Sequence, residues 1–218
     1  MASLEASTSA GFRPRPRERV GAAGAVSASL PDVVLRNHRA EPRRLREELV
    51  AGQRVLLSFL YTRCTEACPR AVEQLRQIYH QLRARGAGEF RFLTLTVDPA
   101  HDTPERLLRY AVRRGAAGFP DWEFLTGEPA DVAAVLRAWR AVEPVGPGGV
   151  EDPGGHTGML ILGNDATHRW SAIAAGAGTD LIANLFLRVA RPGSFGASLA
   201  RPAESGREGR GIAALKVR

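Results

Sequence analysis

Two cysteines lie close together in the segment Tyr-Thr-Arg-Cys-Thr-Glu-Ala-Cys-Pro, residues 61–69. They are the only cysteines of the 218-residue chain, and three residues separate Cys64 from Cys68. A redox pair of the thioredoxin type has two intervening residues, and a structural zinc site takes four protein ligands, which would require a second pair. The spacing therefore matches neither of these common uses of paired cysteines.

The position of this pair relative to a helix favours reactive thiolates. Pro69 is predicted to occupy the first helical position, which places Cys68 at the N-cap and Cys64 in the preceding loop. The exposed N–H groups of a helix N-terminus stabilise a thiolate over a thiol. Soft thiolates select Cu(I), and two sulfurs with one nitrogen form a recognised copper geometry. A disulfide between the two sulfurs is also geometrically allowed.

A copper site of this kind needs a histidine, and the five histidines of the chain differ in context. His156 stands in Gly-Gly-His-Thr-Gly, just before a predicted hairpin strand, and is the first candidate. His101 follows a predicted strand at the edge where ligands of open α/β sheets bind, and is the second candidate. The other three, His38, His80 and His168, are predicted to be solvent-exposed.

The elements that must position these residues follow from hydrophobic periodicity. The predicted strands are 33–35, 55–61, 90–97 and 122–125, followed by a hairpin of 159–162 and 168–173 with its turn at 163–165. Residues 41–49 are predicted to be a turn leading into a short helix that ends near Gly52. The other predicted helices are 69–85, one opened by Thr103 and Pro104, one over 132–139 that is terminated by the Pro-Gly run at 144–149, and 181–189. This order predicts an α/β, thioredoxin-like fold, with a central mixed sheet, helices on both faces and a C-terminal hairpin.

The formal net charge of +7 is concentrated at the two ends of the chain. Residues 1–28 carry +2 and residues 191–218 carry +4, which leaves +1 for the middle. The middle therefore has no basic surface suited to nucleic acid. We expect residues 1–28 to be a disordered leader or a degenerate export signal, residues 29–190 to be the folded domain, and residues 191–218 to be a disordered basic tail. No run approaches the roughly 18 apolar residues of a membrane-spanning helix.

Four segments resemble the SCO/SenC family, thioredoxin-fold copper-binding proteins involved in assembling the copper centre of cytochrome c oxidase. They are FLYTRCTEACP, LTLTVDPAHDTPERL, FLTG and GHTGMLIL, and the resemblance extends over about residues 30–189. It implies that Cys64 and Cys68 are the sulfur ligands of a copper ion, that His156 is its nitrogen ligand, and that Asp98 lies near the site. Family members often have an acidic residue before the ligand histidine, where this chain has Gly155.

The resemblance implies a copper chaperone rather than an enzyme. Its partner would be the copper-accepting subunit of cytochrome c oxidase, and its location the cell envelope, where it can associate with a membrane. We expect it to be a monomer.

Three alternatives use the same cysteines. A thiol–disulfide oxidoreductase acting on the cysteines of the recipient would cycle Cys64 and Cys68 without His156. A peroxide-reducing enzyme of the peroxiredoxin type is a weaker alternative. A purely structural disulfide is weaker too, because a bridge that closes so short a loop adds little stability by the chain-entropy argument.

Overall fold

The described part of the chain comprises residues 30–139 and 158–190 of a computed structural model. The predictions for residues 1–28 and 191–218, for the Pro-Gly run at 144–149 and for His156 fall outside these two ranges. The extent of the folded domain therefore stays a prediction at both ends.

A mixed sheet forms the centre of the described fold, with its strands in the order β2-β1-β5-β4-β3-β6-β7. The neighbours β3, β4 and β5 are parallel to one another. The remaining neighbours pair antiparallel: β1 with β2 and β5, and β6 with β3 and β7. The strands are β1 Val34–Asn37, β2 Pro42–Arg44, β3 Arg54–Leu60, β4 Arg91–Thr96, β5 Trp122–Thr126, β6 Met159–Asn164 and β7 Arg169–Ala174.

Helices cover both faces of this sheet. The α-helices are α1 Ala67–Ala84, α2 Pro104–Arg113, α3 Pro129–Ala138 and α4 Thr179–Ala190. Buried side chains of α1, α2 and α4 share one hydrophobic cluster with Phe92 and Trp122. Buried side chains of α3 share a second cluster with a π-helical turn, Leu45–Val50. Strand β3 contributes to both clusters, which is why it reads as a continuous apolar run. The predicted α/β architecture is confirmed.

The segment before β3 differs from the prediction in two elements. The segment expected to be a turn leading into a helix contains the short strand β2, followed by the π-helical turn Leu45–Val50. Strand β2 lies at the edge of the sheet, where the missing N–H of Pro42 costs no ladder hydrogen bond. The strand was not predicted because it contains a proline and because its three residues are too few to show a hydrophobic period.

The hairpin turn lies later than predicted. Strand β6 continues through Gly163 and Asn164, and the turn is a 3₁₀ segment, Asp165–Thr167. A Cβ at Gly163 would collide with the ring of Trp170 on β7, so this glycine permits a close approach within the sheet and does not make the turn. Helix α3 ends at Ala138, with Trp139 as its C-cap. The ring of Trp139 packs against that of Trp170, with ring centroids 5.0 Å apart.

The prediction that His38 is solvent-exposed is wrong, whereas His80 and His168 are exposed as predicted. His38 is only 1% exposed and packs edge-on against Phe124, with ring centroids 5.7 Å apart. Its Nδ1 accepts a hydrogen bond from the backbone N–H of Phe124 at 3.3 Å. Nδ1 as an acceptor requires a neutral ring with its proton on Nε2. Burial, followed by the charge of Arg39, lowers the pKa of His38, and the nearby carboxylates of Glu123 and Glu41 only partly oppose this.

The buried neutral His38 should make the protein less stable as the pH falls below about 6.5, the ordinary histidine pKa. In the unfolded chain His38 takes up a proton there, but the folded protein resists it, so the unfolded state gains protons and stability is lost. The contribution to the slope is at most about 1.4 kcal/mol per pH unit. Urea unfolding at pH 7, 6 and 5 should show a shallower dependence for His38→Gln than for the wild type. The control His168→Asn, at an exposed residue with φ of 53°, should keep the wild-type slope; equal slopes in all three proteins would contradict the assignment.

Candidate metal centre

The two cysteines lie on either side of the start of α1, at the end of the sheet where the inner strand β3 finishes. Strand β3 ends at Leu60, and the backbone N–H of Cys64 then donates to the carbonyl of Tyr61 at 3.2 Å, which curls the connecting loop. Helix α1 begins at Ala67 with Glu66 as its N-cap. The predicted N-cap position of Cys68 is therefore wrong, and Cys68 lies within the first helical turn. Proline is tolerated throughout that turn, because none of its N–H groups has an intrahelical acceptor.

The sulfur of Cys64 takes over the role of a capping acceptor. The backbone N–H of Cys68 donates to Cys64 Sγ at 3.2 Å, so one unpaired donor of the helix N-terminus is satisfied by the first cysteine. Both cysteines are free thiols in the structure. This contact joins the backbone of one cysteine to the sulfur of the other, whereas the prediction assigned the cap to Cys68.

The two thiols differ in burial and acidity. Partial burial alone would raise the pKa of Cys64, but hydrogen bonds from the Cys68 thiol and from the N–H groups of Cys68, Glu66 and Ala67 outweigh it and lower the pKa below its ordinary value. Cys68 is only 2% exposed. Burial, together with its hydrogen bond to Cys64, raises the pKa of Cys68 to about 12. Cys64 is therefore the first thiolate of the pair and the better nucleophile.

The segment between β3 and α1, residues 61–66, is called the cysteine loop here. The loop after β4 lies beside it, because the parallel neighbours β3 and β4 end at the same end of the sheet. Asp98 pairs with Arg63, the residue before Cys64, at 2.6 Å between Asp98 Oδ2 and Arg63 Nη2. Asp98 therefore contacts the cysteine loop through the side chain of Arg63. The cation of Arg63 is occupied by this carboxylate, although its side chain is 57% exposed.

Sequence reasoning missed Asp102, which is fully buried in the same loop. Its carboxylate accepts hydrogen bonds from the hydroxyls of Thr62 and Thr96, from the backbone N–H of Thr62 and from Nδ1 of His101. The only available signal was its place one residue before Thr103, which is predicted to open the next helix. Thr103 is the N-cap of α2, and its side chain accepts from the N–H of Arg106.

The potential ligand atoms of Asp98, His101 and Asp102 lie within 4.8 Å of one another. These three residues nevertheless fit a metal ion poorly, because the four hydrogen bonds fill the acceptor positions of Asp102 and Arg63 holds Asp98. His101 is part of the hydrogen-bonded support of the cysteine loop, with its ring oriented by Asp102.

His156 lies outside the described residues, whereas β6, the next strand along the chain, is described. Strand β6 runs antiparallel to β3, with Leu57 opposite Ile161. The start of β6 at Met159 is therefore at the end of the sheet where β3 finishes and the cysteine loop begins. His168 lies at the opposite end of the strands, because the β6–β7 turn follows Asn164, which pairs with Arg54 at the start of β3.

A Cys-x-x-x-Cys loop between a central parallel strand and a helix, with an antiparallel hairpin added to the sheet, defines a thioredoxin-like thiol protein. Within that class the chain belongs to the SCO1/SenC family, whose sequence model matches residues 34–184.

Among its relatives, the protein SCO2 homolog, mitochondrial, of Bos taurus is 33% identical over 136 residues, which cover 62% of this chain and 49% of that protein. The chain thus spans about half the length of this curated relative. Among solved structures, Arabidopsis thaliana ScoI with copper bound is similar with a TM-score of 0.56 and 17% identity, over 71% of this chain and 93% of that one. BsSco, described with a disulfide switch as a member of the Sco family of cytochrome c oxidase assembly proteins, has a TM-score of 0.60 and 20% identity, over 74% and 92%. These structural similarities establish the thioredoxin-like fold.

Proposed function

We propose that the protein is a copper chaperone that binds one copper ion through the thiolates of Cys64 and Cys68 and the imidazole of His156. It would deliver this ion to the copper-accepting subunit of cytochrome c oxidase. The observation that carries the proposal is the convergence of two free thiols at the start of α1, with Cys64 Sγ 3.2 Å from the backbone nitrogen of Cys68. Membership of the SCO1/SenC family supports the same function, as does the copper bound to the similar Arabidopsis ScoI.

The donor set fits copper by its chemistry. Two thiolates are soft ligands that favour Cu(I), and a single imidazole completes a three-coordinate site. Binding must displace the proton of Cys68, whose pKa is about 12, and this cost is met by the metal–sulfur bond because metal ligation and deprotonation are coupled. Arg63 is already paired with Asp98, so its charge is partly neutralised beside the incoming cation.

The wild-type protein, loaded with Cu(I) without oxygen, should hold about one copper per chain, and His156→Ala should bind it more weakly. Loss of an outer partner of a metal ligand costs about 10–100-fold in affinity, so loss of the ligand itself should cost at least about 10-fold. Competition with a Cu(I) chelator measures the change. The exposed His80 gives a matched control, His80→Ala, which should keep the wild-type affinity. A His156→Ala protein that binds copper as tightly as the wild type would exclude the three-ligand site.

A second candidate function is thiol–disulfide exchange with the cysteines of the recipient protein. The difference in acidity favours it, because Cys64 has a lowered pKa and Cys68 is buried behind it. Cys64 would attack a disulfide of the recipient, and Cys68 would then resolve the mixed disulfide, leaving Cys64–Cys68 oxidised and the recipient reduced by two electrons. The BsSco structure, described with a disulfide switch, supports this chemistry. Reduction of a model disulfide by His156→Ala at the wild-type rate would favour exchange, since only copper binding needs the histidine.

We propose the cell envelope as the location. The relatives include mitochondrial proteins and a SCO1/SenC family lipoprotein from Bacillus anthracis, and a copper chaperone for a membrane oxidase must act beside that membrane. In the described residues, none of the helices has both the length and the apolar character needed to cross a bilayer. The monomeric state stays a prediction.

A further inference from the structure

Asp102 is the most completely buried carboxylate of the described residues, with no exposed surface. Its Oδ1 accepts from Thr62 Oγ1 at 2.5 Å and lies 3.0 Å from His101 Nδ1. Its Oδ2 accepts from the Thr62 backbone nitrogen at 3.0 Å and from Thr96 Oγ1 at 2.6 Å. A carboxylate offers about four acceptor positions, and here all four are filled by protein donors. A buried charge satisfied in this way is costly to disturb.

These donors come from two different parts of the chain. Thr62 follows the end of β3 and precedes Cys64 by two residues, whereas Thr96 is the last residue of β4. Asp102 itself is fixed by its backbone N–H, which donates to the carbonyl of Asp98 at 2.9 Å. The carboxylate therefore joins the cysteine loop to the end of the neighbouring strand. Thr62 is held at both its backbone and its side chain, which restrains the entry to the cysteine loop.

We propose that Asp102 is a positioning residue that holds the cysteine loop in its metal-binding conformation before any metal arrives. This inference rests on the proposed copper-binding function, because it assigns the origin of the affinity of that same site. A loop ordered in advance pays little conformational entropy when the metal binds. The carboxylate acts through Thr62 and does not ligate the metal, since its acceptor positions are already occupied.

Three variants separate positioning from general stability. Thr62→Val removes only the hydroxyl that donates to Asp102, whereas Thr62→Ser keeps it. Asp102→Asn replaces one acceptor oxygen with an N–H donor among four donors. Ser58→Ala is the matched control, because the Ser58 hydroxyl makes a buried 2.8 Å hydrogen bond to Thr94 between the same two strands, away from the cysteine loop.

The first readout is amide hydrogen exchange at Cys64 in the metal-free protein. Loss of a hydrogen bond to a charged group should accelerate exchange there by about 10–100-fold in Thr62→Val and Asp102→Asn. The second readout is Cu(I) affinity by chelator competition, which should fall by about 10–100-fold, the cost of losing an outer partner of a metal ligand. Thr62→Ser and Ser58→Ala should stay close to the wild type in both measurements.

Unchanged exchange at Cys64 in Thr62→Val would overturn the positioning role, and so would accelerated exchange with unchanged copper affinity. An equal loss of affinity in Ser58→Ala would overturn it as well, because the effect would then reflect stability alone. If the wild-type protein bound no copper, the proposed function would fail, and the exchange rates of the metal-free variants would still decide whether Asp102 orders the loop. Should Asp102→Asn fail to fold, the Thr62 pair decides the question alone.

Discussion

Replacing Cys68 with serine is expected to lower the affinity for Cu(I) by more than about 100-fold, the upper end of the cost of losing an outer partner of a metal ligand. A hydroxyl is a hard, neutral donor that does not replace a thiolate for Cu(I). Cys64→Ser should cause a loss of similar size, because two sulfurs are needed and the other histidine candidate, His101, is bound to Asp102. Chelator competition under anaerobic conditions measures both variants.

The control for this experiment is stability, since Cys68 lies in the hydrophobic cluster under α1. Urea unfolding followed by circular dichroism should show that Cys68→Ser is still folded under the binding conditions. Ser58→Ala again provides a buried substitution away from the cysteine loop, which should leave copper affinity unchanged. Retention of one tightly bound copper by folded Cys68→Ser would show that the two cysteines do not form the site.

Replacing Trp122 with alanine is expected to reduce the free energy of unfolding by about 3–5 kcal/mol, the usual cost of truncating a large buried aromatic residue. Trp122 is fully buried at the start of β5, stacked on Phe124 with ring centroids 5.5 Å apart. Its Nε1–H donates to Thr94 Oγ1 at 2.9 Å. Truncation therefore leaves a cavity and removes a buried hydrogen bond.

Urea unfolding of the metal-free protein measures this loss. Trp122→Phe should lose less than Trp122→Ala, because the phenyl ring retains much of the packing against Phe124. Trp170, which is only partly buried, gives a comparison at another tryptophan, and Trp170→Ala should also lose less. An equal loss at Trp122 and Trp170 would contradict the assignment of Trp122 to the centre of the core.

The main elements of the fold could be predicted from the sequence because their buried faces consist of apolar residues at regular spacing. Strand β3 is covered on both faces and so appears as the apolar run at 55–61. The edge strand β2 could not be found this way, since it buries little and contains Pro42. The start of α1 was misplaced by two residues because Pro69 fits several positions of a first turn.

Buried polar residues were the part of the site that sequence patterns could not reveal. Hydrophobic periodicity counts apolar positions, so it gave no reason to bury His38 or Asp102. One indirect signal existed: Glu123 interrupts the fully buried strand β5, and a carboxylate there needs partners, which Asn37 and Arg43 provide near His38. The role of His156 depends on a family resemblance and stays a prediction.

The order of strands has a consequence for the biosynthesis of the protein. Strand β3 is sealed on one side by β6, and the partner of Arg54 is Asn164, 110 residues later in the chain. At about 5–20 residues per second, a ribosome needs about 5–20 s to make that stretch. Throughout this interval the apolar strand leading to the cysteines has an open edge, which could pair with another nascent chain. The nascent chain therefore has an unpaired strand edge, close in sequence to its two thiols, until the last hairpin emerges.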